Sequence, residues 1–182
     1  MKDNKVNWYV LYVRSGAEER VVEQLKIEFS CNVGSIFIPK KNAIYRRKGQ
    51  KSEFAQKCFP GYVFIESNKT ADVILSTMMS VVRKMKDAYY FLYYGDKKDD
   101  IAMCENEQLV MRKLFGTEHT IDISKGFKEG DSVKIISGSL LSFEGIIKRI
   151  NVSRREAVIA LQMFGASSLI TVGLEMVEKR LE

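Results

Sequence analysis

The chain changes texture once, and that change limits what it can fold into. Up to Gly116 strand-like and helix-like stretches alternate, whereas from Gly126 onward short β-branched runs are broken by glycines at 126, 130, 138, 145, 165 and 173. The first pattern builds an α+β sandwich with helices against one sheet, and the second a small β-barrel of short strands. Residues 117–125 have no clear period and read as a linker, so the sequence predicts domains at 5–116 and 126–180. A length of 182 residues accommodates two small domains, each able to bury a core.

Within the first part, Asn7-Trp8-Tyr9-Val10-Leu11-Tyr12-Val13 is aromatic and β-branched, as a strand requires. Ser15 and Glu18 then form the spacing of a capping box, and Val21, Leu25 and Phe29 recur every fourth residue, so a helix starts there and turns one stripe to the sheet. Residues 35–38 read as a strand closed by Pro39. Gly49 lies inside Arg46-Arg47-Lys48-Gly49-Gln50-Lys51, where it lets two charged arms fold back as a hairpin. A Pro60-Gly61 turn leads into a further strand through Glu66; residues 71–79 are helical, 88–94 form a tyrosine-rich strand, and 106–115 form a helix that Gly116 can cap.

The net charge is +6, and its location matters more than its size. Residues 1–116 hold 20 basic against 14 acidic side chains, while residues 117–182 hold 9 of each. Within 40–57 seven cations (Lys40, Lys41, Arg46, Arg47, Lys48, Lys51 and Lys57) face only Glu53, so this stretch equals the whole excess. Such a field selects a polyanion, either nucleic acid or an anionic membrane. No apolar run approaches the roughly 18 residues of a membrane span, and the N-terminus lacks the apolar core of a signal peptide, so the chain is expected in the cytoplasm. Cys31, Cys58 and Cys104 are too scattered for a disulfide framework or a zinc site, and are read as reduced. With one histidine, His119, and no phosphate-cradling glycine loop, neither a metal, a cofactor nor a catalytic triad is expected. Glu18 and Glu19 are neighbours on a helix, face different ways and make no dyad.

Specific segments carry a resemblance. Glu129-Gly130-Asp131-Ser132-Val133-Lys134-Ile135, Phe143-Glu144-Gly145-Ile146-Ile147 and Phe164-Gly165 resemble a KOW module. The Trp8-Tyr9-Val10 strand running into the Ser15 helix, together with Phe59-Pro60-Gly61-Tyr62-Val63, is similar to the N-terminal (NGN) domain of the NusG family. In this order the two cover nearly the whole chain. The resemblance implies an antiparallel NGN sheet with helices, joined by a linker to a five-stranded, SH3-like KOW barrel. It also implies a monomeric, non-enzymatic transcription elongation factor that docks on the clamp helices of the RNA polymerase β′ subunit. The docking depression would include Trp8, Phe59 and Tyr62, with Pro60 and Gly61 shaping its turn; aromatic anchors of this kind dominate interfaces. The same rings read equally well as sheet core.

Two departures from the family pattern point to a specialised member. After Phe164-Gly165 the family's arginine is replaced by Ala166 and its Pro-Val by Leu169-Ile170, which removes the expected contacts to Rho or a small-subunit ribosomal protein. Gly138-Ser139-Leu140 also replaces the family's first-loop Gly-Pro-Phe. In these respects the chain is similar to operon-specific antiterminators of the RfaH and LoaP types, most of all LoaP, which are recruited by a DNA element or by a leader RNA hairpin. Lys148, Arg149, Arg154 and Arg155, extended by Lys125 and Lys128, are the expected RNA-binding surface. Because strand residues alternate, Lys148 and Arg149 are expected on opposite faces. Arg46, Arg47, Lys48 and Lys51 are the expected contacts to upstream or non-template DNA. Plainer readings exist for both surfaces: a solvated barrel turn, and a lysine-rich strand that blocks edge pairing. The other functional readings are a general NusG that couples polymerase to Rho or the ribosome, and a KOW-type ribosome-assembly protein. For the tyrosine strand, alternation predicts that half of its rings face inward as core.

Overall fold

The computed structural model describes residues 5–29, 32–47, 50–130 and 132–177. In chain order its elements are β1 (Asn7–Val13), α1 (Glu18–Phe29), β2 (Ser35–Phe37), β3 (Lys40–Arg47), β4 (Gln50–Lys57), β5 (Tyr62–Ser67), α2 (Ala71–Val82) and β6 (Ala88–Phe91). There follow α3 (Glu105–Phe115), β7 (Thr120–Ile121), β8 (Ser124–Glu129), β9 (Ser132–Ser137), a 3-10 turn at Glu144–Ile146, β10 (Ile147–Asn151), β11 (Glu156–Met163) and β12 (Ala166–Met176). The fold is α+β, as the sequence predicts. The chain divides into two compact units: residues 1–39 with 59–109, and residues 40–58 with 110–182. Among the described residues no helix is long and apolar enough to cross a membrane.

The first unit is built on an antiparallel sheet in the order β2-β5-β1-β6. Alternation along β1 sends Tyr9, Leu11 and Val13 to one face, where they join Val21, Leu25 and Phe29 of α1 and Ile74, Met78 and Val82 of α2 in a buried cluster. Trp8, Val10 and Tyr12 belong to the opposite face. Gly16, at φ +88°, turns the chain, and α1 begins at Glu18 rather than at Ser15. The Glu18 side chain reaches back as a capping box requires, but to the Gly16 N–H, which donates to Oε2 at 2.8 Å. Its other oxygen, Oε1, accepts from the Gly61 N–H at 2.6 Å, across 43 positions of sequence. Glu18 is fully buried, so the carboxylate ties the start of α1 to the turn that feeds β5.

In the second unit the barrel sheet runs β10-β11-β12-β8-β9 and curls into a half-barrel. The eleven-residue β12 is its spine: it pairs antiparallel with β11 from Gly173 to Ala166 and parallel with β8 from Leu174 to Met176. Ile135, Leu140, Ile159, Leu161, Ile170, Val172 and Leu174 are buried. Strands β3 and β4 form the charged hairpin, with Lys40 opposite Lys57 and Arg47 opposite Gln50. Residues 117–125 lack sequence period yet carry β7, which pairs parallel with β3; two residues are too few to show a repeat.

This hairpin belongs to the same compact unit as the barrel strands. Lys41 donates through Nζ to the Thr171 carbonyl on β12 at 2.6 Å, and the Lys40 N–H donates to the His119 carbonyl at 2.9 Å. Gly173 makes the close approach possible, because a Cβ there would stand 2.9 Å from the Asn42 carbonyl oxygen and 2.9 Å from Ile123.

Glu18→Ala should lower stability by about 3 kcal/mol, since the buried Gly61 N–H and the part-buried Gly16 N–H both lose their side-chain acceptor. Glu18→Gln should lose less because its amide oxygen still accepts. Urea unfolding checks both; equal stability of Glu18→Ala and the parent would show that the bridge contributes nothing.

Candidate functional site

The aromatic side chains of the first unit separate into a buried and an exposed group. Trp8 is 1% exposed and meets Phe37 edge-on at 5.4 Å and Phe64 at 5.8 Å, while Phe59 stacks on Phe64 at 5.7 Å. Two of the three residues expected to line a docking depression, Trp8 and Phe59, are therefore packed inside. Tyr62 is half-buried, Pro60 exposed and Gly61 buried, the last at φ +86° in the turn held by Glu18.

The second group, two half-buried and two exposed rings, centres on Tyr12, which nothing in the local sequence distinguishes from its strand neighbours. Its ring lies 5.5 Å from Tyr62, 5.3 Å from Tyr89 and 5.4 Å from Tyr90. Alternation predicts that one of Tyr89 and Tyr90 points inward, but they are 45% and 48% exposed while Ala88 and Phe91 are buried. A register shift between Tyr12 and Val13 explains this: Tyr12 pairs with Tyr90 and Val13 with Ala88, so Tyr89 is an extra residue and both tyrosines are presented. Burial raises the Tyr62 hydroxyl pKa, and neighbouring Tyr12 and Tyr90 add to the rise, so this hydroxyl stays neutral at physiological pH. A groove of about 590 Å³ adjoins it, with Leu75, Met79, Phe91 and Tyr93 on its walls and Arg83, Lys98 and Asp99 at its polar margin.

In the second unit the basic residues cluster about the β10–β11 turn. Asn151 organises it: its Oδ1 accepts from the Arg154 N–H at 3.0 Å and from the Ser153 hydroxyl at 3.2 Å. Arg155 closes the turn at φ +56°, in a left-handed conformation that costs a non-glycine residue roughly 1 kcal/mol or more. The two arginines consequently differ in role. Arg154 is exposed, whereas Arg155 turns toward the barrel, its Nη1 3.6 Å from Oε1 of Glu175 with both side chains largely buried.

Lys148 and Arg149, expected on opposite faces, are both exposed, because β10 shifts register between Ile147 and Arg149 and local alternation is lost. Lys125 and Lys128 of β8 are exposed as well. Of the expected DNA contacts, Lys48 and the side chains of Arg46, Arg47 and Lys51 lie outside the described residues; the backbones of these last three belong to β3 and β4. The Phe164-Gly165 corner is a two-residue hairpin turn with φ +52° and +76°, followed by Leu169, which is 69% exposed. Among the described residues no group of three or more His, Cys, Asp or Glu could hold a metal ion.

An antiparallel sheet with helices on one face, followed by a curled five-stranded half-barrel, defines a class of two-part chains. A solved structure described as "Domain interaction in Thermotoga maritima NusG" resembles this one with a TM-score of 0.54 and 29% identity, covering 93% of this chain and 94% of that one. The family model for transcription termination factor NusG matches residues 6–112, more than half of the chain, and the chain belongs to that family. The transcription termination/antitermination protein NusG of Buchnera aphidicola is 24% identical over 98% of both chains, and that of Streptococcus pyogenes 28% identical over 92% of both. These relatives are transcription factors and not enzymes.

Beside the Phe59 turn, burial pushes the Cys58 thiol up to about 12 despite the opposing Lys41 ammonium, while Cys104 is exposed. At pH 8 iodoacetamide should therefore modify Cys104 and spare Cys58 until the chain is unfolded, as peptide mass mapping would reveal. The raised value also means that the folded state holds the thiol proton which the unfolded chain releases above about pH 9. Cys58 should accordingly favour folding below that pH and lose this contribution progressively toward pH 12. Rapid native labelling of Cys58 would contradict its burial.

Proposed function

We propose that the chain is an operon-specific antiterminator of the LoaP type, acting as a monomer in the cytoplasm, with functional modules at 5–116 and 126–180 joined through 117–125. The first module docks on the β′ clamp helices of RNA polymerase. Tyr12, Tyr62, Tyr89 and Tyr90 supply the contact surface, and Trp8, Phe59, Pro60 and Gly61 shape it from beneath. The second recognises a leader RNA hairpin through Arg154, Lys148, Arg149, Lys125 and Lys128, while Arg155 holds the turn in place. Arg46, Arg47, Lys48 and Lys51 contact the backbone of upstream or non-template DNA.

The observation that carries this reading is the contrast between two barrel corners. The β10–β11 turn presents Arg154 on an organised loop with more cations nearby, whereas the β11–β12 corner presents Ala166 and Leu169 where the resemblance calls for a cation and proline. A cationic turn suits a polyanion, and the altered corner removes a contact used by general family members. The end-to-end match to relatives named for both termination and antitermination supports a second reading, a general NusG that joins every elongating polymerase.

Transcription across a terminator, with and without an upstream hairpin, separates the two. Read-through that rises only with the hairpin supports the specific antiterminator; a hairpin-independent effect supports the general factor, and no effect on read-through removes the antiterminator reading. Arg154→Ala should weaken hairpin binding about tenfold and spare polymerase binding. Tyr12→Ala combined with Tyr90→Ala should do the reverse, as gel shift and polymerase pull-down would show.

A further inference from the structure

The two basic segments of the sequence meet in the second unit. A cleft of about 360 Å³ is lined by Ile44 and Tyr45 of the hairpin strand β3 and by Ser153, Arg154, Arg155 and Glu156 of the barrel turn. Three contacts hold it open in one arrangement: Lys41 on the Thr171 carbonyl, Gly173 beneath Asn42, and the Arg155–Glu175 ion pair behind the turn. Tyr45 is 53% exposed, with Phe54 edge-on beside its ring at 6.5 Å, so one aromatic face is supported while the side chain remains accessible.

We infer that this cleft is a pocket for one unpaired RNA nucleotide, whose base stacks on Tyr45 while its phosphate is held by Arg154. The inference rests on the RNA-binding reading above and gives it a location that neither basic segment has alone. Its volume falls at the small end of the roughly 300–1,000 Å³ typical of ligand clefts, enough for a nucleotide and too little for a duplex. A duplex also hides the faces of its bases, whereas an unpaired base offers a face to an aromatic ring. The cleft holds complementary chemistry for the rest of the nucleotide. The Arg154 guanidinium fits a phosphate, the Ser153 hydroxyl, whose proton goes to Asn151, can accept, and the Glu156 carboxylate accepts from an amino group on a base edge. Glu156 would repel a bare phosphate at its own end, which orients the nucleotide with its phosphate toward Arg154 and its base toward Glu156.

The test uses the full chain and a single-stranded oligoadenylate carrying one central 2-aminopurine, whose fluorescence falls when it stacks. The parent protein should quench the single strand further and leave unchanged the already low fluorescence of the same strand annealed to its complement. Tyr45→Phe should retain the quench. Tyr45→Ala should abolish it and weaken binding about tenfold, with unchanged circular dichroism showing that the hairpin is intact. Arg154→Ala should reduce the salt slope of binding by about one. An unquenched single strand, an undiminished quench in Tyr45→Ala, or tighter binding of the matching deoxyoligonucleotide would each overturn the assignment. Read-through that responds to the upstream hairpin without any Tyr45-dependent quench would overturn the pocket and leave the antiterminator reading standing. The opposite pair of results would remove that reading and leave a nucleotide pocket.

Discussion

A buried carboxylate organises the first unit. Glu18 accepts from Gly16 at the start of α1 and from Gly61 at the turn before β5, so one side chain joins a helix, a turn and the central strands. A buried carboxyl group is tolerable only when its oxygens find donors, which makes the position of Gly61 as constrained as that of the helix. The turn in turn sets where β5 begins beside β1, with Tyr12 opposite Tyr62 and Val10 opposite Phe64. From that register follow both faces of the sheet: helix-covered and mainly aliphatic on one side, mainly aromatic on the other. Slipping the pairing by one residue would exchange them.

The second unit depends on a small residue rather than a charged one. Gly173 leaves the space in which the hairpin backbone at Asn42 approaches β12, and the preceding residue, Lys41, anchors the same hairpin strand to the Thr171 carbonyl. A lysine in a strongly basic stretch thus has a structural partner, and the charge available to a polyanion is smaller than the count from the sequence. Arg155 behaves likewise, held by Glu175, so Arg154 is the member of that pair left to contact a ligand. Net charge counts every cation alike; burial and ion pairing decide which of them stand free at the surface.

Much of the fold was legible beforehand because periodicity reports burial directly. The Val21, Leu25 and Phe29 spacing, the Trp8 strand and the glycine-punctuated β-runs all correspond to observed elements. What alternation missed were its interruptions. The shift at Tyr12 presents two adjacent tyrosines, and the shift before Arg149 exposes two adjacent cations, neither of which a two-residue period allows. A bulge is set by how two strands pair, so it leaves no mark in either strand alone. Trp8 and Phe59 were ambiguous for a related reason: aromatic residues serve a core and an interface equally well, and the neighbouring rings that bury these two are visible only in the tertiary structure.

The sequence by itself determined the α+β first part, the run of short barrel strands after it and the concentration of positive charge within residues 40–57. These follow from local pattern and composition, which need no knowledge of distant contacts. Tertiary structure alone decided that Glu18 reaches Gly61, that Tyr12 heads the exposed aromatic cluster, and that Tyr45 and Arg154 share one cleft although more than a hundred residues separate them. The physical reason is that pairing register, close backbone approach and ion pairing are relations between segments, and a chain read in order shows only the segments.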